Sequence, residues 1–106
     1  MQANTTTVNE SRTTPVPVRF PLGNIYVTPG AMDALQDANQ HAGEFINRHA
    51  RLERGELGDE DHRENLYSVT RPLRIFSAYR TARGVKVWCV TEADRSATTL
   101  LLPSEY

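Results

Sequence analysis

Two runs near the end of the chain decide its fold: residues 73–80, LRIFSAYR, and residues 85–91, VKVWCVT, separated by Thr81-Ala82-Arg83-Gly84. Both are rich in β-branched and aromatic residues, and a short connection carrying glycine is how hairpins are joined. Side chains alternate across a strand. In the first run Arg74, Phe76, Ala78 and Arg80 therefore share one face, and Leu73, Ile75, Ser77 and Tyr79 the other. In the second, Lys86, Trp88 and Val90 oppose Val85, Val87 and Cys89. One face of the hairpin is thus apolar (Leu73, Ile75, Val85, Val87, Cys89) and is expected to lie under helices. The other combines Arg74, Arg80 and Lys86 with Phe76 and Trp88, two aromatics that this pattern leaves exposed.

Working outward, residues 97–102 (ATTLLL) read as a third strand after the polar link at 92–96, and Pro103 ends it. Upstream the periodicity is helical. Thr28-Pro29 is a helix start, with threonine as N-cap and proline at the first helical position. Met32 and Leu35, flanked by Ala31, Ala34 and Ala38, give that helix a narrow apolar stripe fading near residues 37–40. A second helix is predicted over residues 41–53, where Phe45, Ile46, His49 and Leu52 line one face and Gly55 suits the C-terminal cap. A third starts at Asp59-Glu60-Asp61, where the helix dipole favours negative charge. It runs to about Thr70 with Leu66 and Val69 inward and His62 on the same stripe. Residues 22–28 (LGNIYVT) form a short strand that could extend a sheet edge, with Ile25 and Val27 on one face and Tyr26 on the other. The predicted class is α+β: N-terminal helices packed on one face of a C-terminal antiparallel meander of three to four strands. Residues 1–19 are Thr-, Asn- and Pro-rich with little to bury and are expected to be a disordered tail ahead of one domain at 20–106.

At 106 residues, 39% hydrophobic and 24% charged, the composition is that of one small globular domain. No run of about 18 apolar residues suggests a membrane span, and no segment has the pattern of a secretory signal. The expected compartment is the cytoplasm. Cys89 is the only cysteine, so neither an internal disulfide nor a thiolate metal cage is available. Inside a strand it is expected to be a buried, inert thiol. His41 and His49 would lie about 12 Å apart along a helix, too far to share one metal, and His49 reads as a half-buried packing residue. The chain has no P-loop, G-x-G-x-x-G, H-E-x-x-H or ordered Ser-His-Asp set. No enzyme activity, cofactor or metal is therefore expected.

Three features suit binding. The first is the basic-aromatic face of Arg74, Phe76, Arg80, Lys86 and Trp88; arginine beside aromatics on a sheet is how several modules hold single-stranded nucleic acid. Net charge is −1, so such contact would need this local patch. The second is the loop at 92–96, where Asp94 and Arg95 sit at a sheet end. The third is an acidic cluster of Glu53, Glu56, Asp59, Glu60, Asp61 and Glu64, a solvated helix start that also fits a basic partner.

From Phe20 onward the chain resembles a family of short proteins encoded on bacterial plasmids and integrated mobile islands. The resemblance is carried by Pro21-Leu22-Gly23, Thr28-Pro29-Gly30-Ala31 and Ser77-Ala78-Tyr79-Arg80. Its specific part is Thr91-Glu92-Ala93-Asp94-Arg95-Ser96-Ala97-Thr98-Thr99 with the ending Leu101-Leu102-Pro103-Ser104-Glu105-Tyr106. Members often carry the label of a type I restriction modification subunit. The present sequence does not support that label, having no glycine-rich cofactor loop and no Asn-Pro-Pro-Tyr. The resemblance implies a context, cargo of a mobile element, and no catalytic residue. The resulting expectation is a small non-enzymatic accessory protein that binds a host- or element-encoded protein, in defence or element maintenance. A nucleic-acid-binding regulatory module using the same sheet face is the alternative, and a toxin-like ribonuclease the third. Open sheet edges also leave room for a homodimer.

Overall fold

The runs at 73–80 and 85–91 form a hairpin in the computed structural model, which describes residues 18–106. In chain order the elements are β1 (Asn24–Val27), α1 (Pro29–Ala38), α2 (Ala42–Ala50), α3 (Asp59–Ser68), β2 (Ile75–Arg80), β3 (Lys86–Thr91), β4 (Ala97–Leu101) and a closing 3-10 turn, Pro103–Glu105. The α+β class holds. The sheet runs β1-β4-β3-β2: β2 pairs antiparallel with β3 and β3 with β4, but β1 lies parallel to β4. The sheet is therefore mixed, which corrects the expectation of an antiparallel one throughout. The cause is topological: with α1, α2 and α3 between β1 and the hairpin, the chain crosses over the sheet before returning, and a crossover permits a parallel neighbour. Most of the tail expected at 1–19 lies outside the described residues. Of its last two, Arg19 is already tied to the fold, its N–H donating to the Ala50 carbonyl at 2.9 Å.

The inner face follows the alternation. Ala31 and Leu35 of α1 and Phe45 and Ile46 of α2 form one buried cluster with Tyr79, Val87, Cys89 and Leu100. Three expected core residues sit elsewhere. Leu73 is 44% exposed because β2 starts only at Ile75. Met32 is exposed because Ala31 and Leu35 are the α1 positions that face the sheet. Leu66 is exposed because α3 turns Asn65 and Ser68 inward instead.

Helix ends explain two further differences. The Thr28 hydroxyl caps α1 as predicted, accepting from the Ala31 N–H at 3.3 Å. The residue that caps its C-terminus, Asn39, takes the left-handed conformation, which asparagine tolerates. Helix α2 stops at Ala50, short of Glu53, and the left-handed residue after it is Leu52 (φ 59°) rather than a glycine. Glu53 N–H reaches the Arg48 carbonyl (3.0 Å) and Leu52 N–H that of His49 (2.9 Å), the paired bonds of a Schellman ending. A leucine is held there because its side chain is buried with Phe20 and Ile75. Gly55 is thereby free for another task, a close approach to β2.

Beneath the helices runs a buried polar chain. His49, expected half-buried, is fully enclosed. Its Nδ1 lies 2.7 Å from Ser77 Oγ and its Nε2 2.8 Å from Thr91 Oγ1. Thr91 Oγ1 is 2.6 Å from Thr98 Oγ1, which donates to the Leu22 carbonyl at 2.7 Å. A carbonyl only accepts, so its end of the chain fixes the donors as far as His49. Thr98 gives its proton to Leu22 and accepts from Thr91, and Thr91 in turn accepts from His49 Nε2–H. Burial pushes the imidazole pKa down to about 4. The neutral ring is therefore the Nε2–H tautomer, and its Nδ1 accepts from Ser77.

Candidate functional site

The outer face of the sheet gathers part of the basic-aromatic set. Phe76 and Trp88 meet edge to face at 4.8 Å between centroids, and Tyr106 continues the row at 5.6 Å from Trp88. The two strand aromatics are accordingly half-buried rather than open, because they cover each other and Tyr106 closes over Trp88. Arg74 donates to the Tyr106 hydroxyl and pairs with Glu92 at 3.4 Å. Arg80 sits toward the turn end of the hairpin, where it pairs with Glu56 at 3.1 Å and donates to the Gly84 carbonyl. Lys86 stands directly opposite Arg80 in the ladder. Sequence alternation therefore places the residues on the right face, but the structure divides them: Arg74, Phe76 and Trp88 form one group and Arg80 with Lys86 another.

The 92–96 loop is occupied structurally. Asp94 accepts from the Ser96 N–H at 3.0 Å, closing the turn between β3 and β4, and the Ser96 bonds hold its carboxyl below the usual range. Arg95 adopts φ 62° and turns its guanidinium onto five main-chain carbonyls: Leu73 (2.7 Å), Ser68 (2.8 Å), Arg71 (2.9 Å), Glu92 and Ala93 (both 3.1 Å). That clamp ties the end of α3 to the β3–β4 turn. The left-handed backbone at a residue with a side chain is strained, and the five charge-assisted bonds offset it.

Beside Phe76 lies a groove of about 260 Å³ between α3 and β2, lined by Asp61, Glu64, Asn65, Ser68, Arg74 and Phe76. Asn65 builds it. Its amide donates to the Phe76 carbonyl (2.6 Å) and accepts from the Phe76 N–H (3.1 Å), fixing α3 along the outer edge of β2. Asp61 and Glu64, one turn apart on α3, share the groove side. Within the acidic cluster Glu53 pairs with Arg48 and Arg51, Asp59 with Arg54 and Glu56 with Arg80, whereas Asp61 and Glu64 have no cation within bridging distance among the described residues. The Ser68 side chain is buried and makes no hydrogen bond to a described residue. Sequence reasoning placed Asp61 and Glu64 in a charge run but missed Asn65, Ser68 and Tyr106. Their roles depend on contacts 11 to 32 residues away in the chain, for which no local pattern exists.

The C-terminal turn supports the row of aromatics. Glu105 accepts from the Thr28 hydroxyl (2.5 Å), the Gly30 N–H (2.9 Å) and the Leu102 N–H (2.9 Å), a carboxylate at the N-terminus of α1 where the dipole favours it. Those bonds, the Thr28 hydroxyl first, hold its carboxyl below the usual range. Cys89 is buried, and burial pushes its thiol up. Among the described residues no three His, Cys, Asp or Glu side chains form a metal cluster, and no helix is long and apolar enough to cross a membrane. No protein-family model, curated protein or solved structure matches the chain.

Proposed function

We propose that this chain is a small non-enzymatic accessory protein that acts by binding a protein partner. The setting is the one its resemblance implies, a mobile element in a bacterial cytoplasm, where it would serve defence or element maintenance. One observation carries the reading: the arginines of the outer face already meet Glu92 and Glu56, whereas the groove that Arg74 borders offers Asp61 and Glu64, which have no cation within bridging distance among the described residues, with the Ser68 hydroxyl and the Phe76 ring. A phosphate-reading surface works by neutralising phosphates with free cations, and here two of its cations are neutralised internally. Two carboxylates in one groove with an aromatic ring complement a basic side chain through charge and cation–π attraction. At about 260 Å³ the groove is smaller than the roughly 300–1,000 Å³ of small-molecule sites, so it suits one side chain of a protein better than a cofactor.

The nucleic-acid reading comes second, favoured by Arg83 and Lys86, exposed at the hairpin end with no carboxylate partner among the described residues. A paired experiment separates the two. Affinity capture with the wild-type chain and with the Asp61→Lys/Glu64→Lys variant should yield a protein held by the first and lost from the second. Titration of the single tryptophan's fluorescence with short DNA and RNA should give no response. A quench that weakens steeply between about 50 and 200 mM salt, together with capture indifferent to the two substitutions, would reverse the order.

A further inference from the structure

We propose that β1 is a self-association edge, through which two copies of this chain pair antiparallel about a two-fold axis at Tyr26. The inference is independent of the partner reading. β1 ends the sheet, with β4 as its one neighbour. Asn24 N–H donates to the Ser96 carbonyl and Thr28 N–H to the Leu100 carbonyl, both at 3.0 Å. Along a parallel ladder alternate residues face the neighbouring strand. Asn24 and Tyr26 therefore spend their main-chain groups on β4, and those of Ile25 and Val27 point away from the sheet. No described residue outside the ladder bonds to them. Ile25 and Tyr26 are 44% and 54% exposed, and the strand has no lysine, proline or bulge, the usual devices that blunt an edge.

What points to a second copy as the occupant is self-complementarity. Asn24-Ile25-Tyr26-Val27 carries no charge, so a two-fold axis through it brings no like charges together. In the antiparallel register that sets Ile25 against Val27 of the second copy, all four outward groups on each strand are paired. Sliding one way sets Val27 against Gly23, whose φ of 67° leaves the extended region; sliding the other way meets Pro29, which has no N–H. The favoured register puts the two Tyr26 rings in a non-hydrogen-bonded pair with Cα atoms about 4.5 Å apart, the closest kind of cross-strand contact and one that aromatics stabilise. Four residues a side fall short of the roughly 1,200 Å² of a stable interface. The dimer is thus weak.

Sedimentation velocity on the full chain from about 5 to about 500 µM should show a reversible shift from monomer to dimer. Ile25→Pro removes an outward N–H without touching the β4 ladder, so it should weaken association by at least about tenfold with an unchanged circular dichroism spectrum. Tyr26→Lys, which sets two cations on the axis, should do the same and stands in if the proline variant misfolds. Oxidised Tyr26→Cys should cross-link two chains, since its Cα separation lies within the roughly 4.4–6.8 Å that a disulfide spans; Met32→Cys, exposed but off the axis, should not. Buried Cys89 does not compete. A monomer at the highest concentration overturns the proposal. So does a dimer that survives Tyr26→Lys, or one that cross-links no faster through Tyr26→Cys than through Met32→Cys.

Discussion

The two edges of the sheet are treated in opposite ways. At β2 the outward main-chain groups of Phe76 and the Ala78 carbonyl are covered. Asn65 takes both those of Phe76, and Glu56 N–H donates to the Ala78 carbonyl at 2.7 Å while Gly55 bridges beside it. At β1 the outward groups of Ile25 and Val27 meet no described residue. An edge is a template for pairing with another chain, and this molecule closes one template with its own residues while leaving the other. The polar chain through His49 spans the distance between them, from Ser77 on β2 through Thr91 and Thr98 to Leu22, just ahead of β1. The covered edge is thus joined to the open one by buried hydrogen bonds.

The largest way to break the comparison is at Gly55. Its φ is 60°, and a Cβ there would lie 2.3 Å from the Tyr79 ring and 2.4 Å from the Ala78 carbonyl oxygen. Tyr79 cannot step aside: it is buried, and its hydroxyl donates to the Glu53 carbonyl at 2.9 Å. Gly55→Ala combines an unfavourable backbone with overpacking, together about 3–4 kcal/mol, and should uncover the β2 edge. Urea unfolding followed by tryptophan fluorescence measures the loss. A value below about 1 kcal/mol would mean that this edge is not built on the close approach.

How much of this was legible follows from the range of each interaction. The hairpin, the inner and outer faces of β2 and β3, and the Thr28-Pro29 helix start are written in spacings of two to four residues, and sequence patterns report those. The parallel place of β1 beside β4 rests on a pairing of Asn24 with Ala97, which no local pattern encodes. Helix α3 misleads for a physical reason. Periodicity assumes that a helix buries apolar residues, but α3 lies against the main chain of an edge strand, where an amide that satisfies two backbone groups is worth more than Leu66. The candidate site shows the same division. Arg74, Phe76 and Trp88 were placed on one face by alternation, while Tyr106, Glu92 and Ser68, which decide what that face can do, arrive from distant parts of the chain.

The link between the edges should respond to pH. His49 is neutral in the fold, its pKa pushed by burial from 6.5 to about 4. Protonating Nδ1 would cost Ser77 its acceptor as well as charge a buried ring. Between those two values the unfolded chain binds the proton and the folded chain does not. Stability is therefore complete above about pH 6.5 and falls as pH drops toward 4, by about 3 kcal/mol in all. Urea midpoints measured across that window should trace the decline, and His49→Gln should flatten it while lowering stability at neutral pH. The carboxyls of Glu53 and Glu105 are also held below their usual range, by their hydrogen bonds to Arg51 and to Thr28, and they add their own loss as pH falls through the ordinary carboxylate range, which His49→Gln leaves in place. An unchanged slope in the variant would show that the link between the edges is not the group that senses acid.

The smallest perturbation compares one residue type at both edges. Asn65 stands against β2 and Asn24 within β1. Asn65→Ala leaves the Phe76 N–H and carbonyl without partners next to a groove, a cost of about 1–3 kcal/mol, and frees α3 from the strand it lines. Because the groove of Asp61, Glu64 and Ser68 exists only while α3 is held there, the same substitution should also weaken protein capture. Asn24→Ala removes an exposed side chain that bonds to no described residue and leaves its main-chain bond to Ser96 intact, so the change should stay within about 0.5 kcal/mol. Hydrogen exchange makes the contrast local: the Phe76 amide should lose protection in Asn65→Ala, whereas the Tyr26 amide, bonded to β4, should keep it in Asn24→Ala. Equal costs at the two positions would mean that β1 is covered as firmly as β2, and the difference between the edges would then vanish along with the pairing proposed for Tyr26.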